Sequence, residues 1–120
     1  MIKVQIIGVK EAVQKLDLKN KEVLNKVSAA INTAALDVEG EVKQSIAGRR
    51  AEMRSVDTGR FMGSVTTTKR GELVSAVETN VEYAKFIEYG TSKLNPRYHF
   101  RNTAAREREK VINKVRQAVR

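Results

Sequence analysis

Asp57-Thr58-Gly59 is the stretch of this chain whose residue types could most directly do chemistry. In aspartic proteases the same tripeptide lets two chains bring one carboxylate each to a dyad that shares a proton. Such a dyad needs a buried loop between apolar strand residues, supported by a later apolar-apolar-Gly segment. Here the flanks are Arg54-Ser55-Val56 and Arg60-Phe61-Met62, and Ile6-Ile7-Gly8 lies upstream of the motif. A cation directly after the tripeptide favours an ionised Asp57 over a shared proton. The string therefore reads as the start of a short helix through Ser64, capped by Asp57 or Thr58, with Gly59 easing the turn.

No other residue set assembles a reaction centre. Ser45, Ser55 and Ser64 have no base arranged to activate them, and no Gly-rich phosphate loop is present. His99 is the only histidine, without His, Cys or carboxylate neighbours at ligand spacing, which argues against a metal site. There is no cysteine, so a disulfide framework, a thiolate nucleophile and a thiolate metal site are all excluded. Glu88 sits in the last turn of an expected helix, where the macrodipole disfavours an anion by about a few tenths of a kcal/mol. Arg60, Arg97 or the amides of the Gly90-Thr91 turn could compensate it, and a solvated surface carboxylate is the alternative. The chain is expected to be no enzyme and to take no cofactor.

Nucleic-acid binding is the stronger competing chemistry. Arg106, Lys110 and Lys114 form an i, i+4 column on the last expected helix, and Arg116 stands likewise to Arg120. Like charges at that spacing destabilise an isolated helix, so an anionic surface facing the column would explain it. That surface could be phosphates or an acidic patch of protein. No helix-turn-helix, zinc or RNP-like pattern is present, and the aromatic residues are not interleaved with the basic ones.

The elements that must position these residues follow from periodicity. Ile2–Ile7 alternates with period two and reads as a strand closed by Gly8. A short helix is expected over Val9–Leu16, then a long one capped by Asp17 or Asn20 and stopped at Ala47 by Gly48. Val23, Val27, Ala30, Ile31, Ala34, Val38, Val42 and Ile46 form its apolar stripe. Residues 48–56 have no period and three arginines, and are expected to be a mobile loop. Val65–Lys69 and Glu72–Thr79 form a hairpin turning at Arg70-Gly71. Val81–Tyr89 is a short helix ended by Gly90, Thr91–Tyr98 a loop, and Arg101–Arg120 a final helix. Together these predict a single α+β domain over 1–120, with a small antiparallel sheet and the long and C-terminal helices packed on one face.

Composition agrees with one folded unit. At 120 residues, 41% hydrophobic and 31% charged, the chain can bury one core built mostly of Val, Ile, Leu and Ala. No apolar stretch approaches the ~20 residues a membrane span needs, and no signal-peptide pattern opens the chain. A soluble protein made in the cytoplasm, without a membrane partner, is expected. The net charge of +9 is uneven: residues 48–70 carry six basic groups against two acids, and residues 71–92 set four glutamates against Lys85. A chain whose sections alternate in sign can present opposite faces to copies of itself.

Tyr83-Ala84-Lys85-Phe86-Ile87-Glu88-Tyr89-Gly90-Thr91 carries the sharpest family signal, read with Asp57-Thr58-Gly59-Arg60 before it and Pro96–Phe100 after it. In that order the three strings resemble the neck proteins of tailed bacteriophages, called tail-completion, tail-terminator or head–tail joining proteins. On this resemblance Asp57, Thr58 and Gly59 match a T-G turn, with Phe61 and Ser64 the apolar and Ser positions after it. Tyr83, Ala84, Glu88, Gly90 and Thr91 match the central string, and Pro96, Phe100 and Ala104 a P-x-F-x-x-A region. Arg97-Tyr98-His99 departs from the pattern, which more often runs from Pro straight to an aromatic. The resemblance implies a non-enzymatic virion protein forming a ring, usually of six subunits, in the neck or at the top of the tail. Its implied partners are copies of itself, the tail-tube protein and a head-closure or connector protein, with weak contact to DNA passing through the ring. A nucleic-acid-binding protein using the basic C-terminal helix is the alternative.

Overall fold

The computed structural model describes residues 2–7, 19–55 and 59–119. The expected helix over Val9–Leu16, and Asp17 as a cap, lie outside them. Strand β1 spans Ile2–Ile7, and helix α1 spans Lys21–Ile46. Asn20 caps α1, its side-chain oxygen accepting from the amides of Glu22 (2.9 Å) and Val23 (3.3 Å). Every residue of the expected apolar stripe is buried except Val23, which is half-buried against the same cluster. Gly48 ends the helix at φ +81°, and a Cβ there would stand 2.6 Å from that of Arg54. Gly40 is different, because among the described residues nothing lies within 4 Å of where its Cβ would be. It sits exposed in mid-helix, at a cost of about 1 kcal/mol relative to Ala.

Helix α2 (Arg60–Ser64) leads into β2 (Thr66–Gly71) and β3 (Val74–Thr79). The sheet order is β1-β3-β2, antiparallel throughout. The hairpin turns at Glu72-Leu73, not at Arg70-Gly71. Lys69 pairs with Ser75 and Gly71 with Val74, so Arg70 is an extra residue that keeps β2 running through Gly71. It carries its guanidinium to Glu78, holding that carboxyl below the usual range. Ser75, Val77 and Thr79 alternate with Ala76 and Glu78, and the first set faces α1, where the Ser75 hydroxyl donates to Asn32 at 3.5 Å.

Helix α3 spans Ala84–Tyr89, beginning after a turn at Val81–Tyr83 rather than at Val81. Helix α4 spans His99–Ala118, two residues earlier at its start than its apolar pattern indicates. The sequence pattern misplaces that start because Tyr98, at φ +50°, occupies the left-handed region as N-cap. Val111, Ile112 and Val115 of α4 join α1, Val77, Phe61, Ala84 and Phe100 in one apolar cluster. The result is the expected α+β arrangement. Among the described residues no helix is long and apolar enough to cross a membrane.

Candidate functional site

Glu88 points back from the end of α3, and its partner is none of those its position suggested. Its two oxygens accept from the amides of Phe100 (3.0 Å) and Arg101 (2.9 Å) at the first turn of α4. The carboxylate is 1% exposed, so it replaces water on orphan amides at the positive end of a 20-residue helix. The backbone reinforces the join, with the amides of Arg97 and Tyr98 donating to the carbonyls of Ile87 (3.0 Å) and Glu88 (3.2 Å). Gly90 makes this return possible at φ +78°, since a Cβ would lie 2.6 Å from the Leu94 carbonyl oxygen and 2.8 Å from the Pro96 nitrogen. Thr91 closes the loop, its hydroxyl accepting from the amides of Lys93 (3.2 Å) and Leu94 (3.1 Å).

One turn away, a buried polar node joins α1, the 48–55 segment and α4. The stretch expected to be mobile supplies two of its anchors, Glu52 and Ser55. Glu52 accepts from both terminal nitrogens of Arg106 (2.7 and 2.9 Å), from the Ser45 hydroxyl (2.6 Å) and from Asn102 (3.2 Å). The Arg106 guanidinium, helped by Ser45 and Asn102 and opposed by burial, holds the Glu52 carboxyl down at about 2. His99 is fully buried between two hydroxyls, 2.8 Å from Ser45 at Nδ1 and 2.8 Å from Ser55 at Nε2.

The Glu52 end of this chain fixes the direction of the Ser45 bond. A carboxylate only accepts, so the Ser45 hydroxyl donates to Glu52, and its oxygen is left to accept from Nδ1–H of His99. A guanidinium only donates, and Arg97 donates to the Ser55 oxygen at 2.8 Å. The Ser55 hydroxyl then has two acceptors within reach, Nε2 at 2.8 Å and the Met53 carbonyl at 3.2 Å. Burial keeps the ring neutral, so its one proton sits on Nδ1 and Nε2 accepts from Ser55. Burial pushes its pKa down to about 4, with repulsion from Arg97 and Arg106 adding to this and Glu52 opposing it. Both nitrogens are engaged, so in this arrangement the ring holds the segment in place and has no free lone pair to act as a base.

The three family strings meet around Phe61. Its buried ring packs edge-on to Tyr83 at 6.1 Å and to His99 at 6.2 Å, and Arg60 lies over Tyr83 at 5.7 Å. Gly59, at φ +82°, is the N-cap residue of α2, while Asp57 and Thr58 lie outside the described residues. The Ser64 hydroxyl bonds the Phe61 carbonyl and the Thr79 hydroxyl, each at 2.6 Å. Ala84 and Phe100 are core residues, and Pro96 lines an open cleft of about 500 Å³ beside Met53 and Leu94.

The basic column of α4 does not stand free. Arg106 is committed to Glu52, Lys110 lies 3.3 Å from Glu107, and Lys114 pairs with Asp37 of α1. Ser45, Glu52, Ser55, Arg97, His99 and Asn102 carry the node, and sequence reasoning missed their joint role. They come from three stretches far apart in the sequence, at 45, 52–55 and 97–102, and none has a periodic signal. Among the described residues no group of His, Cys, Asp and Glu could hold a metal ion.

The buried polar node ties together α1, the 48–55 segment and α4 of this α+β fold. A family model described as "Bacteriophage HK97-gp10, putative tail-component" matches residues 9–90, well over half of the chain. The chain belongs to this HK97-gp10-like family of bacteriophage tail components. The match takes in the strings at Asp57 and Tyr83–Gly90 and ends before Pro96. No curated protein and no solved structure gave a match.

Proposed function

We propose that this protein is a non-enzymatic structural subunit of a tailed-phage virion that forms a homo-oligomeric ring, hexameric by the family resemblance, at the head–tail junction. There it completes the tail or joins it to the head, touching the tail-tube protein on one side and a head-closure or connector protein on the other. Family membership across 9–90 is the observation that carries this reading. The node and the α3–α4 join support it, because Glu52, His99 and Glu88 are each spent on bonds that hold elements together. Binding of nucleic acid through α4 draws less support, since the cations of its basic column have carboxylate partners within the subunit.

The test is deletion of the gene from the phage that encodes it, followed by electron microscopy of the lysate. Filled heads and separate tails are expected, with joined particles restored by the gene in trans. Normal infectious particles from the deletion would refute the proposal.

A further inference from the structure

The cleft beside Pro96 is built where the node brings two distant segments together, 51–53 and 93–98, with Asn102 behind them. Met53 stands in it 67% exposed, a large and adaptable apolar side chain left mostly in water. Leu94, Pro96 and the Tyr98 ring add further apolar surface. At about 500 Å³ the recess has room for a few side chains of a visiting segment.

The charges around this recess are unbalanced. Lys93 and Arg97 line it, Arg101 lies over the Tyr98 ring at 4.7 Å, and Arg54 follows Met53 in the chain. Among the described residues Lys93, Arg54 and Arg101 have no carboxylate partner. Arg97 spends Nη1 on the Arg54 carbonyl (3.0 Å) and the Ser55 hydroxyl (2.8 Å). Its Nε and Nη2 have no such partner among the described residues and are left to fork a carboxylate. Glu52, the acid in the lining, does not balance these cations, because its side chain is 3% exposed and bound by Arg106.

We infer that this cleft docks an acidic segment of a different virion protein, seating an apolar side chain against Met53 and Leu94 and carboxylates on Arg97 and Lys93. The inference rests on the reading above that the subunit joins other virion proteins. Charge selects the partner, since unpaired cations around a recess attract an anionic one. A second copy fits poorly. The chain carries +9, and its acids without a cation partner among the described residues, Glu72, Glu82 and Glu109, stand singly on separate segments. Nucleic acid fits poorly too. Phosphate contacts need cations but no apolar recess, and they would leave Met53 and Leu94 uncovered. A peptide with acids flanking an apolar residue meets both halves of the surface.

The test uses the full-length protein and overlapping labelled peptides tiled across this chain and the other virion proteins of the same phage, titrated by fluorescence anisotropy. Wild type is expected to bind stretches of a different virion protein in which acids flank an apolar residue, more weakly as salt rises. Lys93→Glu and Met53→Asp should each weaken that binding at least about tenfold, and so should serine in place of the peptide's apolar residue. Both positions are exposed, and Met53→Ser replaces the second variant if circular dichroism shows it unfolded. Binding that follows acidity alone and ignores Met53→Asp overturns the inference, as does the absence of any bound stretch. Tightest binding by a peptide of this chain makes a second copy the occupant. Tighter binding of duplex DNA, lost in Lys93→Glu, makes it nucleic acid, and either result overturns the inference as well. Failure here leaves the junction reading intact, because the gene deletion decides that reading separately.

Discussion

Glu52→Gln removes a charge from the polar node while keeping its shape, and the cost can be worked from the geometry. Glutamine still offers one oxygen, but its amide nitrogen must face the donors of Arg106, Ser45 or Asn102. One charge-assisted bond and its Coulombic attraction are lost, and bonds to charged groups contribute about 1.5–3 kcal/mol each. Titration gives a second route. The fall of the Glu52 pKa from 4.5 to about 2 corresponds to about 3 kcal/mol at neutral pH. Arg106 remains 35% exposed, so water recovers part of this, leaving about 2–3 kcal/mol. For a chain of this size that lowers Tm by roughly 8–12 °C. The sign with pH follows from the direction of the shift. A carboxyl with a depressed folded pKa stabilises above its unfolded value, and that stability fades as pH falls from 4.5 towards 2. Thermal melts of both proteins at pH 7, 5, 4 and 3 should therefore show a gap that narrows on acidification. A gap under about 2 °C at pH 7, or one that persists unchanged at pH 3, would refute the reasoning.

His99 should titrate near 4 rather than 6.5 in an NMR pH series, so wild-type stability should decline as pH falls through that window. His99→Gln should flatten the decline, and a midpoint near 6.5 would show that the ring is not held neutral by burial. Glu88→Ala should cost about 2–4 kcal/mol by urea denaturation, because it strips two buried amides of their acceptor. Hydrogen exchange should quicken at Phe100 and Arg101 well before the middle of α4, and unchanged exchange there would contradict the capping role.

Periodic features were the legible ones. The α1 stripe could be read because a 26-residue helix repeats its burial every three or four positions, and Asn20 caps it as its residue type suggests. The hairpin was legible as a pair of β-rich runs, but a bulge at Arg70 moved its turn by two residues. Glu88 shows a half-legible case. Its unfavourable place in the last turn of α3 signalled that a partner was needed, yet the partner lies 12 and 13 residues further on, across a loop. The node was not legible at all. Ser45 and His99 are 54 positions apart, and so are Glu52 and Arg106. Only packing brings those polar groups together, and no local pattern records it.

The join at Glu88 has a mechanical consequence. Helix α3 is riveted to the start of α4 twice, by the Glu88 carboxylate and by two backbone bonds from the 97–98 segment. Once Gly90 and Thr91 have turned the chain, residues 92–95 do not set the angle between the helices and can change their side chains without tilting them. A push on the exposed rings of α3 would not be absorbed as slack in that loop. It would be carried into α4 as into a lever, and α4 lies along α1 with Lys114 clipped to Asp37. In a tail component, such stiffness lets α1, α3 and α4 turn as one body under load.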